Sequence, residues 1–230
     1  LHDTDPQKLG VPPLKATSSD GGASDEMAGI ANRWLEQVYD LIRDDHPANG
    51  ILTRGWCNYP EVPTYEEVFG LNPACVALYP MYRGVAMFAG TKIYRDGITD
   101  FSSQVDVLEQ VWKDHDYFFV HFKYTDSSGE DGDFDRKVAM IEEVDRSIPR
   151  LTALKPDVFA VTGDHSTPAV MKGHSWHPVP VVMAGTNVRP DRVAEFNENA
   201  AVCGGLGRFE AQYLINELLA SANRLAKYGA

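Results

Sequence analysis

Apolar residues at Met27, Ile30, Ala31, Trp34, Leu35, Val38, Leu41 and Ile42 recur every three or four positions, the period of an α-helix with one apolar face. Ser24 stands where a cap belongs, and Asp25 and Glu26 fall in the first turn, where exposed backbone N–H groups favour anions. The string HPANG, residues 46–50, ends that helix, and the pattern changes beyond it. Short apolar runs rich in Val, Phe and Tyr at residues 73–79, 116–122, 157–162 and 179–184 read as buried strands. Helical periodicities separate most of them. Val105, Leu108 and Trp112 mark one helix, and Phe134, Val138, Ile141, Val144, Ile148 and Leu151 another. Phe209, Tyr213, Leu214, Leu218 and Leu225 mark a helix near the carboxyl end. A domain boundary is expected near residue 50. The alternation after it predicts an α/β fold, a mainly parallel sheet with helices on both faces.

In such sheets ligands collect in the crevice beyond the carboxyl ends of the strands. Two clusters of metal-ligating residue types fall there. Asp164 and His165 directly follow the run ending at Thr162, and His174 lies beyond the turn at Pro168, before the next strand. Asp126 and Glu130 leave the preceding strand through Ser127, Ser128 and Gly129, a flexible turn that would let both carboxylates reach one ion. Oxygen and imidazole donors without thiolate suit manganese, zinc or magnesium, and a pair of such ions clamps a phosphoryl group in transfer. The plainer alternatives are an Asp-His pair that caps a loop and a solvated acidic turn at Asp126 and Glu130. His177 reads as an exposed loop histidine. His121, inside an apolar strand, reads as a satisfied core histidine or one that supports a ligand. Asp131, Asp133 and Asp135 crowd a helix start, where capping is their expected role.

The formal charge of −12 and the absence of a basic stripe argue against nucleic acid as a partner. Cys57, Cys75 and Cys203 are widely spaced and outside any CxxC pattern, which fits a reducing cytoplasm rather than a disulfide framework. No apolar run approaches the roughly 20 residues that span a bilayer, so no membrane partner is expected. The first residue is not Met, a hint that a longer polypeptide has lost its front.

The strings DTDPQKLGVPPL, HPANGILTRG, YRGVAMFAG, VHFKYTDSSGEDGDF, TGDHSTP, HSWHPVPVVMAG and GGLGRF, in this order, resemble the cofactor-independent (2,3-bisphosphoglycerate-independent) phosphoglycerate mutases of the archaeal type, within the alkaline phosphatase superfamily. The resemblance covers nearly the whole chain. It implies an alkaline phosphatase-like fold, with residues 1–50 the remainder of an inserted cap domain and residues 51–230 the carboxyl-terminal part of the catalytic domain. It also implies two divalent metal ions, manganese first, with zinc, magnesium or cobalt as alternatives. One ion would take Asp126, Glu130 and His174; the other would take Asp164 and His165. An aspartate and the nucleophilic serine that complete the family's second site have no counterpart in the chain and are expected upstream of Leu1. Arg54, Arg83 and Arg208 match strings that would meet the phosphate or carboxylate of phosphoglycerate. Glu130 departs from the family pattern, which has histidine there in AGHDG. The function implied is interconversion of 3-phosphoglycerate and 2-phosphoglycerate through a phosphoserine, with this chain inactive without the missing amino-terminal half. Two other functions stay open: another phosphomutase or phosphohydrolase of the superfamily, and a non-catalytic module with a degenerate metal site that binds a metabolite or partner.

Overall fold

The computed structural model describes residues 1–225 and divides the chain into two compact units, Leu1–Glu61 and Val62–Ala230. The first unit is built on helix α1, Ala23–Ile42, which buries Ala28, Ala31 and Leu35. It begins one residue before the expected cap. Gly22 occupies the cap position, and Ser24 instead hydrogen-bonds the Asp20 carboxylate. The leading segment is fastened to α1 by Asn32, whose side chain accepts from the Ala16 N–H at 3.0 Å and donates to the Ala16 carbonyl at 2.9 Å. Residues beyond the Gly50 break return to the same unit. Thr4 donates its N–H to the Thr53 carbonyl at 2.9 Å, and the Tyr39 hydroxyl donates to the Ile51 carbonyl. Those bonds carry the unit past the sequence break, and it extends to Glu61.

The second unit contains α2, Tyr65–Phe69; β1, Pro73–Ala77; α3, Pro80–Phe88; β2, Lys92–Tyr94; α4, Phe101–Val111; and β3, Tyr117–His121. It continues with α5, Tyr124–Asp131; α6, Phe134–Ala153; β4, Val158–Thr162; β5, Val181–Gly185; α7, Glu198–Ala201; and α8, Leu214–Ser221. Strands β2, β1 and β3 form a parallel sheet in that order. β1 is buried along its whole length, as a strand covered on both faces must be. The connection from β1 to β2 through α3 and that from β2 to β3 through α4 run in opposite directions along the sheet, so the right-handed crossover rule assigns them to opposite faces. The carboxyl ends of β1 and β3 are therefore the point where the strand order reverses, the place where open α/β sheets bind ligands.

The remaining two strands depart from the expected alternation. β5 pairs antiparallel with β4, from Val158 opposite Gly185 to Thr162 opposite Val181, in a separate two-stranded sheet. Residues 163–180 carry no helix to make a parallel crossover, so the chain simply turns back. One face of β5 stays open, with Val182 exposed although its run is apolar throughout. Five elements escaped the pattern of apolar positions, namely α2, α3, opened by Pro80 at its first position, the three-residue β2, α5 and α7. The carboxyl-terminal helix is shorter than its periodicity predicted, because a 3-10 turn over Ala211–Tyr213 precedes Leu214.

The core of this unit is Val76, Ile98, Phe101, Val105, Leu108 and Leu151, with Phe118, Val120, Val144 and Ile148 packed around it. α6 is also tied to α4 by Arg150, which donates to Glu109 at 2.7 Å and to Asp106 at 2.6 Å. Gln104 lies fully buried on α4 beside this core. Its amide nitrogen donates to the Val76 carbonyl of β1 at 2.9 Å and the His121 carbonyl of β3 at 2.8 Å, closing the two strands at their carboxyl ends. Among the described residues no helix is long and apolar enough to cross a membrane. Replacing Gln104 by Leu removes the donor from two carbonyls, that of Val76 in a buried strand and that of His121 at a partly buried strand end. An unsatisfied buried polar group costs about 1–3 kcal/mol, so Gln104→Leu should unfold at a clearly lower urea midpoint than the parent chain, with a similar slope.

Candidate metal centre

The site grows from the end of β3. His121 closes the strand, Lys123 follows, and Tyr124–Asp131 form the two-turn helix α5 where the sequence suggested a flexible turn. The helix has a clear stop signal. Gly132 adopts φ 75°, and its N–H and that of Asp133 close back onto the Ser128 and Gly129 carbonyls. Ser128 is buried and donates its hydroxyl to the Tyr124 carbonyl at 2.7 Å, so a polar residue in the helix interior is satisfied locally. Asp133 then caps α6 through the Arg136 N–H at 2.9 Å, the capping role expected of it, whereas Asp131 ends α5 and pairs with the Arg136 guanidinium instead. Helical geometry puts Asp126 and Glu130, four residues apart, on one face of α5.

The second ligand-bearing segment is the connection between β4 and β5. It is closed by Thr162, whose hydroxyl donates to the Pro180 carbonyl at 3.1 Å, and by a bridge in which the Ser175 N–H donates to the Ser166 carbonyl at 2.9 Å. Asp164, His165 and His174 lie on this doubled-back segment. It meets α5 closely enough that a Cβ on Gly129 would sit 2.2 Å from the Thr167 carbonyl oxygen. Gly129 is therefore required by contact, not by its own backbone angles.

These two segments bring the acidic and imidazole groups together. Donor atoms of Asp126, His165 and His174 all lie within 4.8 Å of one another. His174 Nε2 is 3.6 Å from Asp126 Oδ1 and 3.5 Å from Glu130 Oε1. His165 Nδ1 is 3.7 Å from Asp126 Oδ1, and its Nε2 is 3.4 Å from Asp164 Oδ2. The rings of His165 and His174 stand 3.8 Å apart, centroid to centroid. Asp126 is the most enclosed of the set, while the side chains of Glu130, Asp164 and His174 are about half exposed. Oxygen and nitrogen donors converging from separate elements, with an open side, fit a hard or borderline divalent cation.

Electrostatics favour the charged forms of Asp126 and Asp164. Burial works to raise Asp126, but the ammonium of Lys123 and the hydroxyl of Thr167 outweigh it and hold the group below the usual aspartate range. Burial likewise opposes ionisation of Asp164, and the hydroxyl of Tyr82 together with His165 overcomes it. The phenol of Tyr82 is driven well up in return, first by burial and then by Asp164. Burial also lowers Lys137, whose ammonium donates to the Thr125 carbonyl at 2.9 Å and the Thr167 carbonyl at 3.0 Å, joining α5 to the second segment.

Several of these partners were not singled out in the sequence. Lys123 had a legible signal, since it lies three residues before Asp126. Tyr82 had none, being 82 residues from Asp164 in the chain. His121 was expected to be a satisfied histidine or a support for a ligand, yet its Nδ1 is buried without a partner among the described residues. Its ring instead stacks on Tyr82 at 3.5 Å, and burial lowers its basicity. His177 is set apart, stacked on the exposed Trp176 and paired with the Ser175 hydroxyl at 2.9 Å. Arg83 turns its guanidinium to the Leu78 carbonyl at 2.6 Å and the Ala77 carbonyl at 3.3 Å. Arg54 belongs to the first unit and lies 3.6 Å from Asp5, and Arg208 is exposed.

Comparison with known proteins agrees with this chemistry. Residues 10–221 match the metalloenzyme superfamily. A probable 2,3-bisphosphoglycerate-independent phosphoglycerate mutase of Aquifex aeolicus is 42% identical over 230 residues, all of this chain and 56% of the relative. A protein of the same description from Thermus thermophilus is 43% identical over 232 residues, again all of this chain, and 57% of that relative. The chain thus spans little more than half the length of the curated relatives it matches. Among solved structures, the PH0037 protein of Pyrococcus horikoshii superposes with a TM-score of 0.81 at 30% identity, over 90% of this chain and 60% of that one. The cofactor-independent phosphoglycerate mutase of Thermoplasma acidophilum shares the fold, with a TM-score of 0.62 at 24% identity over 96% of this chain and 58% of that one. An α/β chain with candidate metal-ligating residues at the carboxyl ends of its strands, matched over most of its length, belongs to the metalloenzyme superfamily.

Proposed function

We propose that the chain supplies the metal-binding part of a 2,3-bisphosphoglycerate-independent phosphoglycerate mutase, which interconverts 3-phosphoglycerate and 2-phosphoglycerate through a phosphoserine. The observation that carries this reading is the convergence of Asp126, His165 and His174 within 4.8 Å at the end of a parallel sheet, in a chain whose relatives bear that description. Asp126, Glu130 and His174 would hold one divalent cation, and Asp164 with His165 the other; manganese suits the oxygen-rich set best, with zinc, magnesium and cobalt as alternatives. Such ions polarise phosphoryl oxygens and lower the pKa of a bound oxygen nucleophile. Lys123 neutralises Asp126, and Tyr82 holds Asp164 toward the site. The nucleophilic serine is assigned to no residue of this chain, and the chain alone is expected not to turn over. We place residues 1–50 in the remainder of a cap domain and assign Arg54, Arg83 and Arg208 to phosphoglycerate. Three free cysteines fit a reducing cytoplasm.

A second reading, a phosphohydrolase or a different phosphomutase of the same superfamily, is favoured by Glu130. A carboxylate in place of the imidazole the family pattern carries adds negative charge beside Asp126, which weakens the cation's pull on phosphate oxygens. Activity of the full-length gene product decides between the two. Mutase turnover of phosphoglycerate supports the first reading, and release of inorganic phosphate without it supports the second.

Two further outcomes concern this chain itself. Asp126→Asn and His174→Ala should each lower manganese affinity at least tenfold by titration calorimetry, and unchanged binding would remove both residues from the ligand set. Without metal, acid should weaken the fold. Asp126 and Asp164 both lie below the aspartate value of about 3.9 in the folded chain, so their contribution is complete above that pH and is lost as pH falls through the lowered values. Urea midpoints measured from pH 6 downward should therefore drop below about pH 4, and Asp126→Asn should flatten part of that decline.

A further inference from the structure

Thr167 occupies a position that none of the ligand assignments uses. It is 4% exposed and stands between α5 and the histidine-bearing segment. Its carbonyl takes the Lys137 ammonium at 3.0 Å, and Gly129 packs against that same oxygen, so the residue is fixed by its backbone before its side chain is considered. The side-chain hydroxyl then meets two groups. It bonds Asp126 Oδ1, and it lies 3.1 Å from His165 Nδ1.

A hydroxyl has one proton to give, and an ionised carboxylate can only accept. Asp126 also takes the Lys123 ammonium, which keeps it in that acceptor role. The proton of Thr167 is therefore committed to Asp126, and its oxygen has only lone pairs to offer His165. Nδ1 of His165 must be the donor. Nε2 is left with its lone pair, and it faces Asp164 Oδ2 at 3.4 Å.

We infer that Thr167 is a positioning residue that fixes His165 as the Nδ1–H tautomer, so that His165 ligates through Nε2 on the Asp164 side and is withheld from the cation of Asp126 and His174. The inference rests on the reading that Asp164 and His165 hold a cation. It adds a physical cause for the division of one tight cluster into two sites. Proximity alone does not make that division, because His165 is as near to Asp126 as His174 is, at 3.7 and 3.6 Å. A ligating imidazole is oriented by the hydrogen bond of its other nitrogen, and loss of such a partner typically costs 10–100-fold in metal affinity.

The test uses the 230-residue chain with 15N-labelled histidine, the His165 signals being assigned by their loss in His165→Gln. Long-range 1H–15N spectra of the metal-free chain, taken at a pH high enough that the imidazole signals no longer move, read the tautomer directly. The expected result is a protonated Nδ1 and an unprotonated Nε2. An Nε2–H tautomer in the parent chain would overturn the inference without any variant. With zinc as a diamagnetic probe, the Nε2 signal of His165 should shift, Thr167→Val should lose the single-tautomer pattern and about 10–100-fold in zinc affinity, and Thr167→Ser should restore both. A Thr167→Val chain that keeps the parent tautomer and affinity sinks the proposal, as does a folded Thr167→Ser chain that restores neither. Should the parent chain take up no zinc, the metal reading fails on its own while the metal-free spectrum still decides the tautomer.

Discussion

The Asp126 carboxylate is the group on which the site's arrangement depends. It stands in the first turn of α5, is enclosed by its surroundings, and gathers the Lys123 ammonium, the Thr167 hydroxyl and the edges of two imidazoles. A buried anion is costly unless it is paired and hydrogen-bonded, and the partners of this one come from two stretches of chain, Lys123 from its own and Thr167, His165 and His174 from the β4–β5 connection. Meeting that requirement draws the β4–β5 connection down onto the helix that follows β3. The contact between Gly129 and the Thr167 carbonyl leaves no room for a Cβ, and only a residue without a side chain allows it. The buried anion and the missing Cβ act together to set the distance between the two halves of the site.

The rest of the second unit serves to hold the end of β3 still. Gln104 joins the carboxyl ends of β1 and β3, Arg150 clamps α6 to α4, and the core between them leaves β1 without solvent on either face. Position at a strand-order reversal is what gives an α/β sheet its crevice, and here it brings Tyr82, just after β1, to Asp164. Tyr82 and His121 stack at that crevice, so an aromatic wall stands beside the polar cluster.

How far the sequence carried this picture depends on the range of the interaction. Local signals were readable: the period of α1 and α6, the strand runs at β1, β3 and β4, the cap at Asp133 and the acidic and imidazole residues that converge in the cluster. What failed was set by tertiary contact. Ser127, Ser128 and Gly129 read as a turn from composition, yet Gly132 terminates a helix that packs against Thr167 and so overrides weak helix propensity. The apolar run of β5 matches a buried parallel strand, and only the lack of a crossover helix in residues 163–180 reveals the antiparallel return. Tyr82, Thr167 and Lys137 belong to types that occur everywhere, and nothing in their spacing marks them. Lys123 could have been read from its offset to Asp126. Glu130 was a departure from the family pattern that the sequence made plain, alongside the aspartate and serine without a counterpart, and it stands beside His174.

The antiparallel pairing of β4 with β5 has a consequence for how cations would come and go. Asp164, His165 and His174 hang from a single hairpin-like arch, pinned at its base by Thr162 opposite Val181 and across its middle by the Ser166–Ser175 bridge. Such an arch opens as a unit, because freeing one limb breaks the bonds that hold the other. Under the proposed ligand division, the arch contributes to both cation sites at once. One opening event then releases donors from each, and a cation held at either site opposes it. The two occupancies are thereby linked through a shared local equilibrium, a source of cooperativity that needs no direct contact between the ions.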